Sequence, residues 1–415
     1  MKIIHTADWH IGQNFFEYDR KAEHFLFLEW LKKITKTLSI DVLMIAGDIF
    51  DSPNPSAESQ KIYYSFLRDI TNKNPHLQVI IVAGNHDSAA RLEAPNPLLE
   101  SFNVTTKGII KHTADGSIDY NDLIIPLKAG GYCLAVPYLR QGYYPEAESY
   151  TKSVKLMYSK LYSLAAEKVS VKNHEFTPIV AMGHLHAASA EISENDRSER
   201  AIIGGIEYVS PDTFPEGIAY TALGHLHRGQ KVSGRDNIRY SGAPIPMSFA
   251  EKNNRQGVVF INIQEKMPFV SSDINKCAYT IDIERIDFED TVKLISIPKD
   301  PAPLVDVLLE INKLPEGDIT GMSPYLEIKV LVTEPEPSMR HIIEKALEGK
   351  AVRLARISAT TPEYKNDAKI INFEELREIS PMNMAEKVFE KQYGGEKMPE
   401  SMKKLLLEVI QEVER

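Results

Sequence analysis

The chain has 415 residues, 43% hydrophobic and 26% charged, so it can bury more than one core and is not a disordered chain. Its 48 Lys and Arg against 58 Asp and Glu give a net charge of -10, which excludes a generally basic nucleic-acid coat: any polyanion must meet a local positive patch, a metal site or a partner subunit. Cys133 and Cys277 are the only cysteines, so a disulfide scaffold and a thiolate zinc site are excluded, and a reducing cytoplasm is the expected compartment.

Met1 runs straight into Ile3-Ile4 and Ala7-Asp8-Trp9-His10, with no apolar leader and no run of the ~20 residues needed to cross a bilayer; a soluble, intracellular protein is expected. Phe25, Leu28, Leu31, Ile34 and Leu38 recur at helical spacing. The β-branched run 42–46 then ends in Gly47-Asp48, and the run 79–83 in Gly84-Asn85-His86-Asp87, with helices expected at 56–72 and 88–103. A helix is expected at 151–168. The run 179–182 leads to Gly183-His184-Leu185-His186, and 218–223 to Gly224-His225-Leu226-His227. Any one Gly-polar pair is best read as a turn. Five buried strands all ending in Asp, Asn or His predict an α/β layered domain with ligands at the carboxyl edge of its sheets. Residues 257–263 read as a late strand of this domain, whose end is placed near 275.

Residues 276–375 lack that punctuation and read as a second, smaller α+β domain, with a strand at 325–332 and a helix near 338–349. Between Ser338 and Lys369 seven basic residues face four acidic ones, which most often marks a solvated face. Residues 376–415 predict two amphipathic helices. One runs from Ser380-Pro381 to Gly394-Gly395. The other starts near Pro399, with Met402, Leu405, Leu406, Val409, Ile410 and Val413 on one stripe, a stripe that suits the chain's own body or another chain equally.

Asp8, His10, Asp48, Asn85, His184, His225 and His227 together offer hard oxygens mixed with imidazoles, a set suited to Mn²⁺, Fe²⁺ or Zn²⁺ rather than Ca²⁺. Seven donors serve two ions of four ligands each if Asp48 is shared. Two ions ~3.5–4 Å apart lower the pKa of a water and offset charge on phosphate oxygens, which is a device for hydrolysing phosphoesters. His86, beside Asn85 but not needed as a ligand, is placed to protonate a leaving oxygen. Asp87 either orients that ring or closes the turn. His5 reads as a core histidine, Trp9 as packing and His186 as loop filling.

These motifs, in this order, resemble the calcineurin-type binuclear metallophosphoesterases. Within them, residues 5–15, 46–56, 83–88 and 240–249 are similar to the nuclease subunits of bacterial SbcCD complexes, and the resemblance covers essentially the whole chain. It implies a layered β-sandwich flanked by helices, with a capping domain at 276–375 and a helical tail at 376–415. It implies a first ion on Asp8, His10, Asp48 and His227, a second on Asp48, Asn85, His184 and His225, and His86 as the catalytic histidine. Two Mn²⁺, DNA as substrate, ATP-regulated exonuclease and hairpin endonuclease activity in repair, recombination and replication, a homodimer formed by helices after the second and third motifs, and an SbcC-type ATPase gripped by the tail follow from the same resemblance. Asp51 stands where archaeal and eukaryotic relatives usually carry a histidine, so a second imidazole role in catalysis is not implied here. The alternative is another phosphoesterase on this scaffold, acting on nucleotides, lipids or phosphoproteins, because metals and fold set the reaction type and not the substrate. The protein phosphatase is disfavoured, since Phe50-Asp51-Ser52 stands where its Asp-Arg-Gly would be. A scaffold without activity is least favoured, since no ligand is missing.

Overall fold

The structure is a computed structural model that describes residues 1–170, 177–187, 209–265, 279–333 and 336–361, with five single positions between 389 and 403. All five donor-bearing runs are strands. Lys2–Thr6, Val42–Ala46, Gln78–Val82 and Val104–Lys107 lie parallel in one six-stranded sheet, extended antiparallel by Gly257–Glu265 and Tyr279–Asp287. A second six-stranded sheet is built round Tyr132–Ala135, Ile179–His184, Tyr220–Gly224 and Arg235–Tyr240, again parallel.

The unbroken apolar runs follow from both faces of each strand being covered. Alternate residues point to opposite faces. Ile3, Val42, Met44 and Ile80 pack on Cys133, Val180, Met182 and Ala222 between the sheets. Their neighbours Ile4, Leu43, Ile45 and Ile81 pack outward on Phe27, Leu31, Phe66 and Ile70 of the helices Lys21–Thr37 and Ala57–Lys73. The helix Tyr150–Ser170 covers the second sheet through Val154, Met157 and Leu161. Each such side chain contributes about 1.5–3 kcal/mol by burial. The expected layered sandwich is what forms, with one parallel carboxyl edge per sheet.

Several elements differ from expectation. The helix expected at 88–103 breaks into Ala89–Glu93, Asn96–Leu99 and a 3-10 turn, because Pro95 has no N–H to continue the first piece while Pro97 is tolerated at the start of the next. Phe25 is 59% exposed: the buried stripe of its helix runs through His24, Phe27, Leu28 and Leu31 instead. Tyr279–Asp287, past the expected break at 275, is still hydrogen-bonded to the first sheet. Beyond it, the parallel strands Leu294–Ala302, Tyr325–Leu331 and Arg353–Thr360 are joined by the helices Leu304–Asn312 and Met339–Ala346. Only the middle strand and the second helix were expected. These packed residues and the two large sheets form one compact unit, Met1–Thr360. The tail helices fall almost wholly outside the described residues, apart from the Met402 and Lys403 amides bonded to the Pro399 carbonyl.

The basic run is divided: among its described residues Arg340, Lys345 and Arg356 are exposed, as a solvated face requires, and the others turn inward. Lys350 is buried and donates to the Asn312 and Leu314 carbonyls, Arg353 is buried against Tyr325, and Arg356 pairs with the buried Glu327.

Candidate metal centre

The carboxyl edges of the two sheets meet at one pocket. Asp8 follows the first strand, Asp48 the second and Asn85 the third, while His184 ends one strand of the opposite sheet and His225 follows its neighbour. Backbone bonds zip the first two loops together: Asp8 N–H donates to Gly47 O and His10 N–H to Asp48 O, both at 3.0 Å. The sheets are stitched by His225 N–H donating to Asp8 Oδ1 at 2.9 Å. Asp8, His10, Asp48 and His225 all sit at positive φ, between 47° and 105°. A non-glycine residue there costs roughly 1–3 kcal/mol, a strain that gathers at functional sites.

The glycines before these residues have a second role beyond ending strands. Gly47, at φ +90°, lies against the His184 ring, and a Cβ on Gly84 would overlap the Asp48 carboxylate. Both positions need the close backbone approach that only glycine permits.

Inside the pocket the acceptors converge. Asp48 Oδ2 is 3.3 Å from His184 Nε2 and 3.7 Å from His10 Nε2, while Oδ1 accepts from His86 N–H at 2.9 Å. Asn85 Oδ1 is 2.9 Å from His184 Nε2 and 3.1 Å from His225 Nδ1. His184 Nδ1 lies 2.9 Å from the Ala46 carbonyl, which can only accept, so Nδ1 carries the proton. Among the described residues, Asp8 Oδ2 and His10 Nε2 are buried without a hydrogen-bond partner. Buried polar atoms left so are costly unless something else satisfies them. Among the described residues, donor atoms within 4.8 Å of one another form three triads: Asp8, His10 and His227; Asp8, Asp48 and His184; and His10, Asp48 and His86. The residues present fit a divalent cation.

The electrostatics agree. Burial raises Asp8 to about 7 against the pull of the His184 and His227 imidazoles. Burial also works against a charged His184, but Asp48 outweighs it and lifts that imidazole to about 9. A proton on Nε2 lies between Asp48 and Asn85; a metal ion held there would replace it, so that uptake would release protons. His225 is depressed to about 3 by burial and by the charge on His184.

His86 is half-buried and donates from Nδ1 to the Asp51 carbonyl at 3.0 Å, its ring edge-on to His10. His186 lies beside His225, with ring centroids 5.7 Å apart. His5 is the core histidine expected, bonded to the Tyr220 hydroxyl and the Leu223 carbonyl. Trp9 is fully buried against Phe27 and Phe66.

Three carboxylates around the donors are missed or left open by sequence alone. Glu251 Oε1 is 3.1 Å from His227 Nδ1, and both are buried. Asp51 Oδ1 is 3.3 Å from His10 Nδ1. Such partners orient a ligating imidazole. Asp87 closes the turn: its carboxylate accepts from the N–H groups of Ile49, Phe50 and Gly84 at 2.8–3.2 Å, tying two donor loops together. Asp87→Ala leaves three buried N–H groups without an acceptor and is expected to cost about 3 kcal/mol. Urea unfolding of the metal-free chain measures it, and a loss below about 0.5 kcal/mol contradicts the role.

A centre of this composition at the edge of such a sandwich defines a metallophosphoesterase. Residues 1–229 match the family model of the calcineurin-like phosphoesterases, and residues 290–393 that of the type 5 capsule protein repressor C-terminal domain. The SbcD subunit of the nuclease SbcCD from Rhodobacter capsulatus is 34% identical over 381 residues, 89% of each chain. That of Escherichia coli K12 is 31% identical over 261 residues, 60% of this chain and 62% of its own, and that of Bacillus subtilis 27% over 424 residues, 100% and 99%. The chain belongs to the calcineurin-like phosphoesterase family of metal-dependent hydrolases, in its SbcD branch.

Proposed function

We propose that the chain is the nuclease subunit of an SbcCD-type complex, cutting DNA phosphodiesters with two divalent ions, Mn²⁺ foremost. The carrying observation is the buried Asp8 Oδ2 and His10 Nε2, left without hydrogen-bond partners among the described residues beside Asp48 Oδ2, in a chain whose relatives are named as SbcCD nuclease subunits. Asp8, His10, Asp48 and His227 would hold one ion, and Asp48, Asn85, His184 and His225 the other. When bound, the ions would activate water and offset charge on the phosphate oxygens. The chain's own residues do the rest. Asp48 Oδ1 is fixed by His86 N–H, which leaves Oδ2 toward both halves of the pocket. His86, its Nδ1–H on the Asp51 carbonyl, presents Nε2 to give a proton to the leaving oxygen.

The partner is an SbcC-type ATPase bound by 376–415, in a cytoplasmic complex of two chains of each kind that acts in DNA repair. The segment beyond the first sheet, within 276–375, serves as the capping domain. Because the chain is acidic, and Arg353 and Arg356 of the cap already pair with Tyr325 and Glu327, the ATPase supplies much of the DNA affinity. The complex purified with its ATPase should open a hairpin DNA only with Mn²⁺, and degrade duplex ends faster with ATP. Hydrolysis of nucleotide or phosphopeptide substrates with hairpin DNA left intact overturns the assignment.

A further inference from the structure

We infer that the pocket around His227 is built jointly with the three-stranded sheet beyond the sandwich, through a buried chain of hydrogen bonds from Glu251 to Tyr325. This rests on the two-ion reading above, in which His227 is a donor. Glu251 faces His227 Nδ1 with Oε1, and its Oε2 accepts from Met247 N–H at 2.9 Å. The neighbouring Pro246 carbonyl accepts from Arg20 Nη1 at 2.7 Å. Arg20 grips Glu23 bidentately, Nε to Oε1 at 3.0 Å and Nη2 to Oε2 at 2.6 Å. Glu23 Oε1 also accepts from the Tyr325 hydroxyl at 2.7 Å, across 302 residues of sequence. Tyr325 opens the middle strand of the three-stranded sheet, and the Arg353 guanidinium lies 3.7 Å over its ring.

Arg20, Glu23, Glu251, Tyr325 and Arg353 are all 3% exposed or less. Mere docking of the sheet does not call for them, because Phe15, Phe249, Val292 and Tyr325 already form an apolar cluster at this junction. Buried ions of this kind add little to stability over apolar packing, but they tolerate only one geometry, since every charge left unpartnered is heavily penalised. Here that geometry ends on the ring nitrogen that sets how His227 presents its other nitrogen. A carboxylate in that place fixes the ring and raises its basicity. Glu251 and Tyr325 are thus positioning residues: neither touches the reacting atoms, and both act through His227. A shift of the three-stranded sheet would be felt at one ion and not at the other.

Mn²⁺ titration of the full chain, followed by calorimetry and by the spin-coupled EPR signal of paired ions, tests this. Glu251→Gln is expected to weaken one of the two ions about 10–100-fold. Tyr325→Phe, which removes a single oxygen, should weaken the same ion about three- to tenfold, with an unpaired-ion signal at subsaturating Mn²⁺. Tyr18→Phe is the control: it keeps the ring that packs beside Tyr325 and Arg353 and removes only the hydroxyl bond to the Leu354 carbonyl of the same sheet, which is outside the chain of hydrogen bonds, and should leave both ions unchanged. A wild type with both ions and a Tyr325→Phe variant binding them equally tightly overturns the coupling alone. So does a Tyr18→Phe variant that loses as much as Tyr325→Phe. A wild type that takes up no paired ions overturns the two-ion reading and this inference with it.

Discussion

His86→Ala is expected to lower DNA cleavage about 10²–10⁴-fold while the chain still takes up two ions. The contribution at stake is that of a positioned general acid. The geometry separates this role from that of a ligand. Asp8 and Asp48 are nearly fully buried, whereas His86 is half-buried at the pocket mouth, where a substrate can reach it. Its Nδ1 is held by the Asp51 carbonyl, which leaves one nitrogen for proton transfer. The part of residue 86 that supports the centre is its main-chain N–H on Asp48 Oδ1, and an alanine keeps it. The competing outcome is concrete, because His86 also stands in a triad with His10 and Asp48. Single-turnover hairpin cleavage and metal analysis on the same sample decide between them. If ion content falls together with rate, His86 is a ligand and the acid must be sought elsewhere.

The centre was legible in the sequence because one signal served fold and chemistry together. A run of apolar residues long enough to be buried on both faces, stopped by glycine and followed by Asp, Asn or His, specifies a central strand and a donor at its carboxyl end at once. Residues that act on the donors carry no such signal. Glu251 is 24 residues from His227 and sits in a 3-10 turn, so nothing in its spacing marks it. Asp87 could be read as orienting a ring or closing a turn, and only its three backbone contacts decide. The strand Leu294–Ala302 was missed because Pro298 and Pro301 read as breaks. Among the described residues it lies at the edge of its sheet, where one side of the strand is unpaired and a missing N–H is tolerated. The basic run was legible in part for a related reason: composition reports charge but not direction, so Arg340 and Lys345 face solvent as expected while Arg353 turns inward onto an aromatic ring.

Asp48→Asn is expected to have the broadest effect on the centre, removing both ions rather than one. Oδ2 of this residue faces His10 on one side and His184 on the other, so its charge is shared by both halves of the pocket. Asparagine keeps one oxygen but not the charge. With Oδ1 committed to His86 N–H, the group turned toward the two histidines becomes a donor facing nitrogens that must accept a cation. Removing a residue that only orients a ligand costs about 10–100-fold, so loss of the shared ligand should exceed 100-fold in Mn²⁺ affinity and in cleavage. The metal-free variant should also lose stability. Desolvation opposes the buried Asp48 carboxylate, but the His184 and His10 imidazoles outweigh it and hold its carboxyl well below the usual range, while Asp48 lifts His184 to about 9. Both shifts mean that the folded chain favours this pair at neutral pH, so its removal should cost about 1–3 kcal/mol in urea unfolding. Asp8→Asn is the comparison, and by the same reasoning it should weaken chiefly the ion beside His10 and His227. An Asp48→Asn chain that still binds two Mn²⁺ and cleaves within tenfold of wild type would show that the two halves of the pocket do not share this carboxylate.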